Sequence, residues 1–161
     1  MKEIYQNLYI GTENDCSVGR VSGYAVIHAC KHPCHVGAVG YRGNLPKSHP
    51  YYLILEKEKH LYLNMVDMEQ ELSPIYTNPI FKSALSFIDR HIKDDKILIH
   101  CNQGQSRSPS IGLVYLANNG IITNKSFHEA AIAFKDVYRD FMPGKGISEY
   151  LSRNWPAIVS F

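Results

Sequence analysis

No stretch of this 161-residue chain stays apolar for the ~20 residues that a membrane-spanning helix requires. The opening MKEIYQNLYIGTEND also lacks the apolar core of a secretory signal, so a cytoplasmic protein with no membrane partner is expected. Charge of one sign is missing too. Lys and Arg number 17 against 15 Asp and Glu, a formal net charge of +2, which provides no field to recruit nucleic acid. Cysteine is sparse, at Cys16, Cys30, Cys34 and Cys101. Four thiols in a chain long enough to bury its own core exclude a disulfide scaffold and leave catalysis or metal binding as their special uses. Repeats, low-complexity tracts and linkers rich in Gly, Ser or Pro are absent. One domain over residues 1–161 is the expectation.

What is present is a globular composition, 45% apolar and 20% charged, with clear periodicity. Tyr5–Ile10 and Tyr24–Ala29 read as short strands. Tyr52–Glu56 and His60–Met65 read as a hairpin or two neighbouring strands, and Ile97–His100 as a strand buried on both faces. Helical spacing runs over Asn78–Ile92 and over Arg107–Ala117, which stops before Asn118-Asn119-Gly120. Ser126 with Glu129 forms a capping box for a helix to Phe134, and Gly146–Asn154 reads as a last helix ending near Pro156. Early strands with helices between and after them predict an α/β fold, a partly parallel central sheet flanked by helices. Ligands in such folds bind beyond the carboxyl ends of the strands, where Cys101 falls.

The stretch ILIHCNQGQSRS, Ile97–Ser108, carries the chemistry. Between strand and helix, the short segment Cys101–Arg107 must turn tightly, which can aim backbone N–H groups inward as an anion cradle. The helix after it adds orphan donors and partial positive charge. Gly104 supplies a conformation closed to other residues, and Arg107 a planar fork for two phosphate oxygens. Asn102, Gln103, Gln105 and Ser106 complete the candidate phosphate-binding loop. Such donors favour the thiolate over the thiol, so Cys101 is expected to attack phosphorus as a nucleophile. Ser108 is placed to donate a hydrogen bond to the sulfur, and His100 to bond loop carbonyls and hold the cysteine. A buried core thiol beside an unrelated arginine would need the histidine, glycine, serine, strand and helix to coincide by chance.

His100–Ser108 resembles the H-C-x5-R-S/T signature of the cysteine-dependent protein tyrosine phosphatase superfamily. SPSIGLVYLA from Ser108 resembles its dual-specificity branch, as do IYQNLYIG at Ile4–Gly11 and LYLNMVD at Leu61–Asp67. The resemblance implies a compact α/β sandwich and metal-free, cofactor-free hydrolysis through a phosphocysteine. It also implies a mobile loop bearing a general acid about thirty residues upstream of the cysteine. Asp67 lies 34 positions before Cys101, with Glu69 and Glu71 as competitors. The loop carries no lysine or further arginine, which disfavours the highly charged substrates of phosphoinositide phosphatases and RNA triphosphatases of this superfamily. A monomer acting on phosphotyrosine, with phosphoserine and phosphothreonine in reach, is the resulting expectation. The alternatives are a phosphatase of a lipid or nucleotide phosphate and a phosphoprotein-binding pseudophosphatase. A rhodanese-type sulfurtransferase would need no upstream acid.

The run His28-Ala29-Cys30-Lys31-His32-Pro33-Cys34-His35 packs five potential ligands into eight residues. Cys30, Cys34 and a histidine could surround zinc, but the spacing fits no common zinc module, and a loop at the rim of the active site is expected instead. Asp136, Arg139 and Asp140 read as a solvated helix end, and Met65 and Met68 as packing beside Asp67.

Overall fold

In the computed structural model the described residues are 1–20 and 23–161. They form a six-stranded sheet whose strands are β1 (Lys2–Tyr5), β2 (Leu8–Gly11), β3 (Tyr24–His28), β4 (Ile54–Lys57), β5 (His60–Leu63) and β6 (Lys96–His100). Their spatial order is β1-β2-β6-β3-β5-β4. The four inner strands run parallel, and β1 and β4 close the edges antiparallel. Ala25–Ile27 and Ile97–Ile99 are wholly buried, which is why the central strands read as unbroken apolar runs.

The expected strand Tyr5–Ile10 is in fact two strands. Asn7 takes a left-handed φ of 63°, turning the chain between β1 and β2, because asparagine tolerates this region better than most residues. A hairpin joins β4 and β5, with Glu58 at φ 55° in its turn.

Five α-helices are described: α1 (Val36–Val39), α2 (Pro74–His91), α3 (Arg107–Asn118), α4 (Phe127–Val137) and α5 (Lys145–Ile158). Helix α2 begins earlier than its apolar periodicity indicates, because Pro74 occupies the first turn, where a missing N–H costs nothing. Ser126 caps α4 as expected, its Oγ accepting the Glu129 N–H at 3.1 Å. Helix α5 runs to Ile158, with Pro156 in its last turn. Gly112 lets α3 approach the β1–β2 hairpin, since a Cβ there would lie 2.6 Å from Ile4 Cδ1. None of these helices is long and apolar enough to cross a membrane.

Register sets the place of the chemistry. Gly11 and His28 both stand opposite His100, so three parallel strands end along one edge of the sheet. The segments that leave this edge are Glu13–Arg20, the turn Lys31–His35, the stretch 64–67 and the loop 101–106.

Candidate active site

Cys101 follows β6 directly, and its side chain is 1% exposed. The loop is held by its carbonyls from outside. Tyr138 OH donates to Gly104 O at 2.8 Å, the Met142 N–H to Gln105 O at 2.9 Å, and the Glu13 N–H to Asn102 O at 3.2 Å. Burial pushes the Tyr138 phenol up to about 12, with the Asp140 carboxylate adding to it, so the hydroxyl remains a donor. Gly104 has φ +73°, and a Cβ there would lie 3.1 Å from Gly11 O; both conformation and space require glycine.

Two donors meet the sulfur. The Gly104 N–H donates to Cys101 Sγ at 3.3 Å, and the Ser108 hydroxyl donates to the same sulfur at 3.2 Å. Arg107, at the start of α3, is drawn across the loop. Its Nη2 donates to Asn102 Oδ1 at 2.7 Å, Nη1 to Met65 O at 3.2 Å, and Nε to Asp67 Oδ2 at 3.2 Å. Ser106 Oγ donates to Asp67 Oδ1 at 2.6 Å and accepts the Gly144 N–H at 2.9 Å. Of the three candidate carboxylates, Asp67 is the one hydrogen-bonded to the loop, with its side chain still 41% exposed. Glu71 instead pairs with Arg153, and Glu69 is exposed.

Gln103 is exposed and Gln105 half-buried on the loop. Asn102 also spends its amide on the protein, donating to Glu13 Oε2 and His32 O. Tyr138 and Gly144 support the loop without any sequence signal, because each acts through contacts more than thirty positions away. Met65 is buried, whereas Met68 is exposed and lines a cavity of ≈ 590 Å³ with Tyr41, Tyr52, Val66 and Tyr76. Neither Cys101 nor Arg107 lines that cavity, so the loop lies beside it rather than in it.

His100 bonds the backbone of Cys101 and also reaches across to the neighbouring strand. Its Nε2 faces His28 Nδ1 at 2.7 Å on the buried side of the loop. Burial, above all, holds His28 down at about 3 and His100 at about 4, so both imidazoles are neutral at ordinary pH. The Cys/His run is also used differently from its reading in sequence. Cys34 and His28 converge with His100 and with Cys16, while the Cys30 thiol adjoins the group through Cys34.

No protein-family model matches the chain. Solved structures do. DUSP15 superposes with a TM-score of 0.65 at 20% identity, over 99% of this chain and 89% of its own. The human tyrosine phosphatase-like serine/threonine/tyrosine-interacting protein gives 0.65 at 20% identity, over 100% and 98%. PTPMT1, solved in complex with PI(5)P, gives 0.60 at 17% identity, over 98% and 96%. With its parallel core and its cysteine loop at the carboxyl edge, the chain has the fold of the dual-specificity branch of the protein tyrosine phosphatase superfamily.

Proposed function

We propose that residues 1–161 form a catalytic unit that hydrolyses phosphate monoesters of proteins, phosphotyrosine first and phosphoserine and phosphothreonine in reach, through a phosphocysteine. One observation carries this reading. Two donors converge on Cys101 Sγ while Arg107 and Asp67 meet over the same loop. A buried structural thiol has no use for that arrangement.

The steps follow from the contacts. An incoming phosphate takes over the Arg107 Nε and Nη2 donors from Asp67 and Asn102, gripping two oxygens in the fork. Asp67 stays anchored at the rim by Ser106. The Cys101 thiolate attacks phosphorus, the P–O ester bond breaks, and Asp67 gives its proton to the departing oxygen. Water then attacks the phosphocysteine, and the Asp67 carboxylate takes its proton. Inorganic phosphate leaves, and the Ser108 hydroxyl steadies the charge returning to the sulfur.

The loop supports a protein substrate over a polyphosphorylated lipid. Apart from Arg107 it has no cationic side chain, and the Asn102 amide is already committed to Glu13 and His32. The test is a hydrolysis panel of phosphotyrosine, phosphoserine and phosphothreonine peptides, phosphoinositides and nucleotides, with acid-quench trapping of labelled enzyme. Phosphotyrosine turnover with label on Cys101 is expected. Faster release from a phosphoinositide than from every peptide would reverse the substrate assignment. Vanadate binding without turnover of any ester would make the protein a binder.

Two variants probe the rim. Lysine in place of Arg107 keeps the charge and loses the fork, so Arg107→Lys should weaken vanadate inhibition by roughly tenfold or more and slow turnover with it. Unchanged inhibition would refute the grip. At Gly144 a Cβ would lie 2.8 Å from Asp67 Oδ1, and φ there is an ordinary −60°. Gly144→Ala should therefore displace the carboxylate without straining the backbone, lowering kcat by about tenfold while KM holds. A variant with wild-type kcat would show that Asp67 needs no such placement.

A further inference from the structure

We propose that Cys16, His28, Cys34 and His100 form a closed, tetrahedral Zn²⁺ site on the buried side of the loop. The four come from four segments. His28 and His100 stand opposite each other at the ends of β3 and β6, Cys34 comes from the turn Lys31–His35, and Cys16 from Glu13–Arg20. One ligand atom from each lies within 4.8 Å of all the others.

The separations match a coordination shell. Zn–S bonds near 2.3 Å and Zn–N bonds near 2.05 Å in a tetrahedron set edges of about 3.8 Å between sulfurs, about 3.5 Å from sulfur to nitrogen and about 3.3 Å between nitrogens. Cys16 Sγ stands 3.9 Å from Cys34 Sγ and 3.6 Å from His28 Nδ1. His28 Nδ1 to His100 Nε2 is 2.7 Å, a hydrogen-bond distance, so the two rings must part by about 0.6 Å to reach the edge when the ion enters. Without an ion, His100 Nε2 and His28 Nδ1 share a hydrogen bond, and His28 Nε2 meets His60 in turn. His28 Nδ1 faces both Cys16 and His100, and Cys16 Sγ faces both His28 and Cys34, so the four donor atoms crowd round one point.

The surroundings suit the ion. Two thiolates balance its charge, so a neutral centre is buried. Thiolate and imidazole in a tetrahedral S2N2 set select zinc among common divalent ions. The far nitrogen of His28, Nε2, meets His60 Nδ1 at 3.0 Å, and the His28 ring stacks on Tyr62 at 4.3 Å. That outer contact fixes which way the ring points, as ligating histidines require. His28 and His100 are buried whereas Cys16 and Cys34 are partly exposed, which leaves an entry path.

All four positions are protein ligands, so the metal has no open site for water and acts structurally. It pins Glu13–Arg20 and the turn Lys31–His35 to the sheet edge, with His100 held next to Cys101. None of this depends on the phosphatase reading.

The experiment uses the full chain purified without chelator or affinity metal. Elemental analysis should find one zinc per chain. Replacement by Co²⁺ should give the intense d–d bands of a tetrahedral site with thiolate-to-cobalt charge transfer, a readout independent of activity. Stripping the metal should lower Tm by about 5–10 °C, since the ion binds only the folded chain. Cys16→Ser and Cys34→Ser should each lose the zinc, while Cys30→Ser and the exposed His32→Asn should keep it. Wild-type protein that takes up under a tenth of an equivalent after zinc reconstitution, with only octahedral cobalt bands, would overturn the proposal. So would loss of zinc in Cys30→Ser with retention in Cys16→Ser.

Discussion

Cys101→Ser should cost at least ~10³-fold in turnover while leaving phosphate esters able to bind. The substitution removes one sulfur and little else, so the Gly104 N–H, the Ser108 hydroxyl and the Arg107 fork all remain. Serine's hydroxyl is far less acidic than a thiol and stays protonated, so it offers no nucleophile for phosphorus. Binding should persist because the donors that cradle the phosphate belong to the backbone and Arg107. The measurement is paired: steady-state kinetics on a phosphotyrosine peptide, and calorimetric binding of the same peptide to the variant. Near-wild-type turnover in a clean preparation would end the phosphocysteine mechanism.

Asp67→Asn should lower kcat by roughly 10²–10⁴-fold with KM little changed, the signature of a group needed in the transition state. The size of the loss should follow the leaving group. A departing alkoxide from phosphoserine needs the proton most, whereas an activated aryl phosphate needs it least. The pH profile gives a second reading. A general acid works in its protonated form, so wild-type rate falls as rising pH removes that proton. Asparagine does not titrate, so this high-pH fall should flatten in the variant. Glu69→Gln and Glu71→Gln are the controls, and the Glu71 carboxylate is already paired with Arg153. A leaving-group-dependent defect in Glu69→Gln, absent from Asp67→Asn, would transfer the role to Glu69.

The nine residues His100–Ser108 were legible because their chemistry is contiguous. The cysteine, the glycine that permits the turn, the serine that reaches the sulfur and the arginine all lie on one strand-loop-helix unit. The parallel core was legible for a related reason: strands buried on both faces need apolar residues at every position, and Ala25–Ile27 and Ile97–Ile99 supply them. Helix periodicity marked α2 to α5, apart from their ends, where Pro74 and Pro156 are absorbed into first and last turns.

Other features depended on contacts that no local pattern encodes. Three carboxylates, Asp67, Glu69 and Glu71, follow β5 in quick succession. The choice of which one touches the loop fell to Ser106 and Arg107, about forty positions away. The Cys/His run reads as its own unit, yet His28 and Cys34 also meet Cys16 and His100, which no local pattern links to them. That meeting follows from strand order. Because β3 pairs with β6 and not with its neighbour in sequence, His28 is set opposite His100, 72 residues later. Side-chain periodicity determines which face of an element is buried, and the sequence carries that much by itself. Which elements become neighbours is decided by packing across the whole sheet, and a cluster drawn from four segments exists only once that packing is complete.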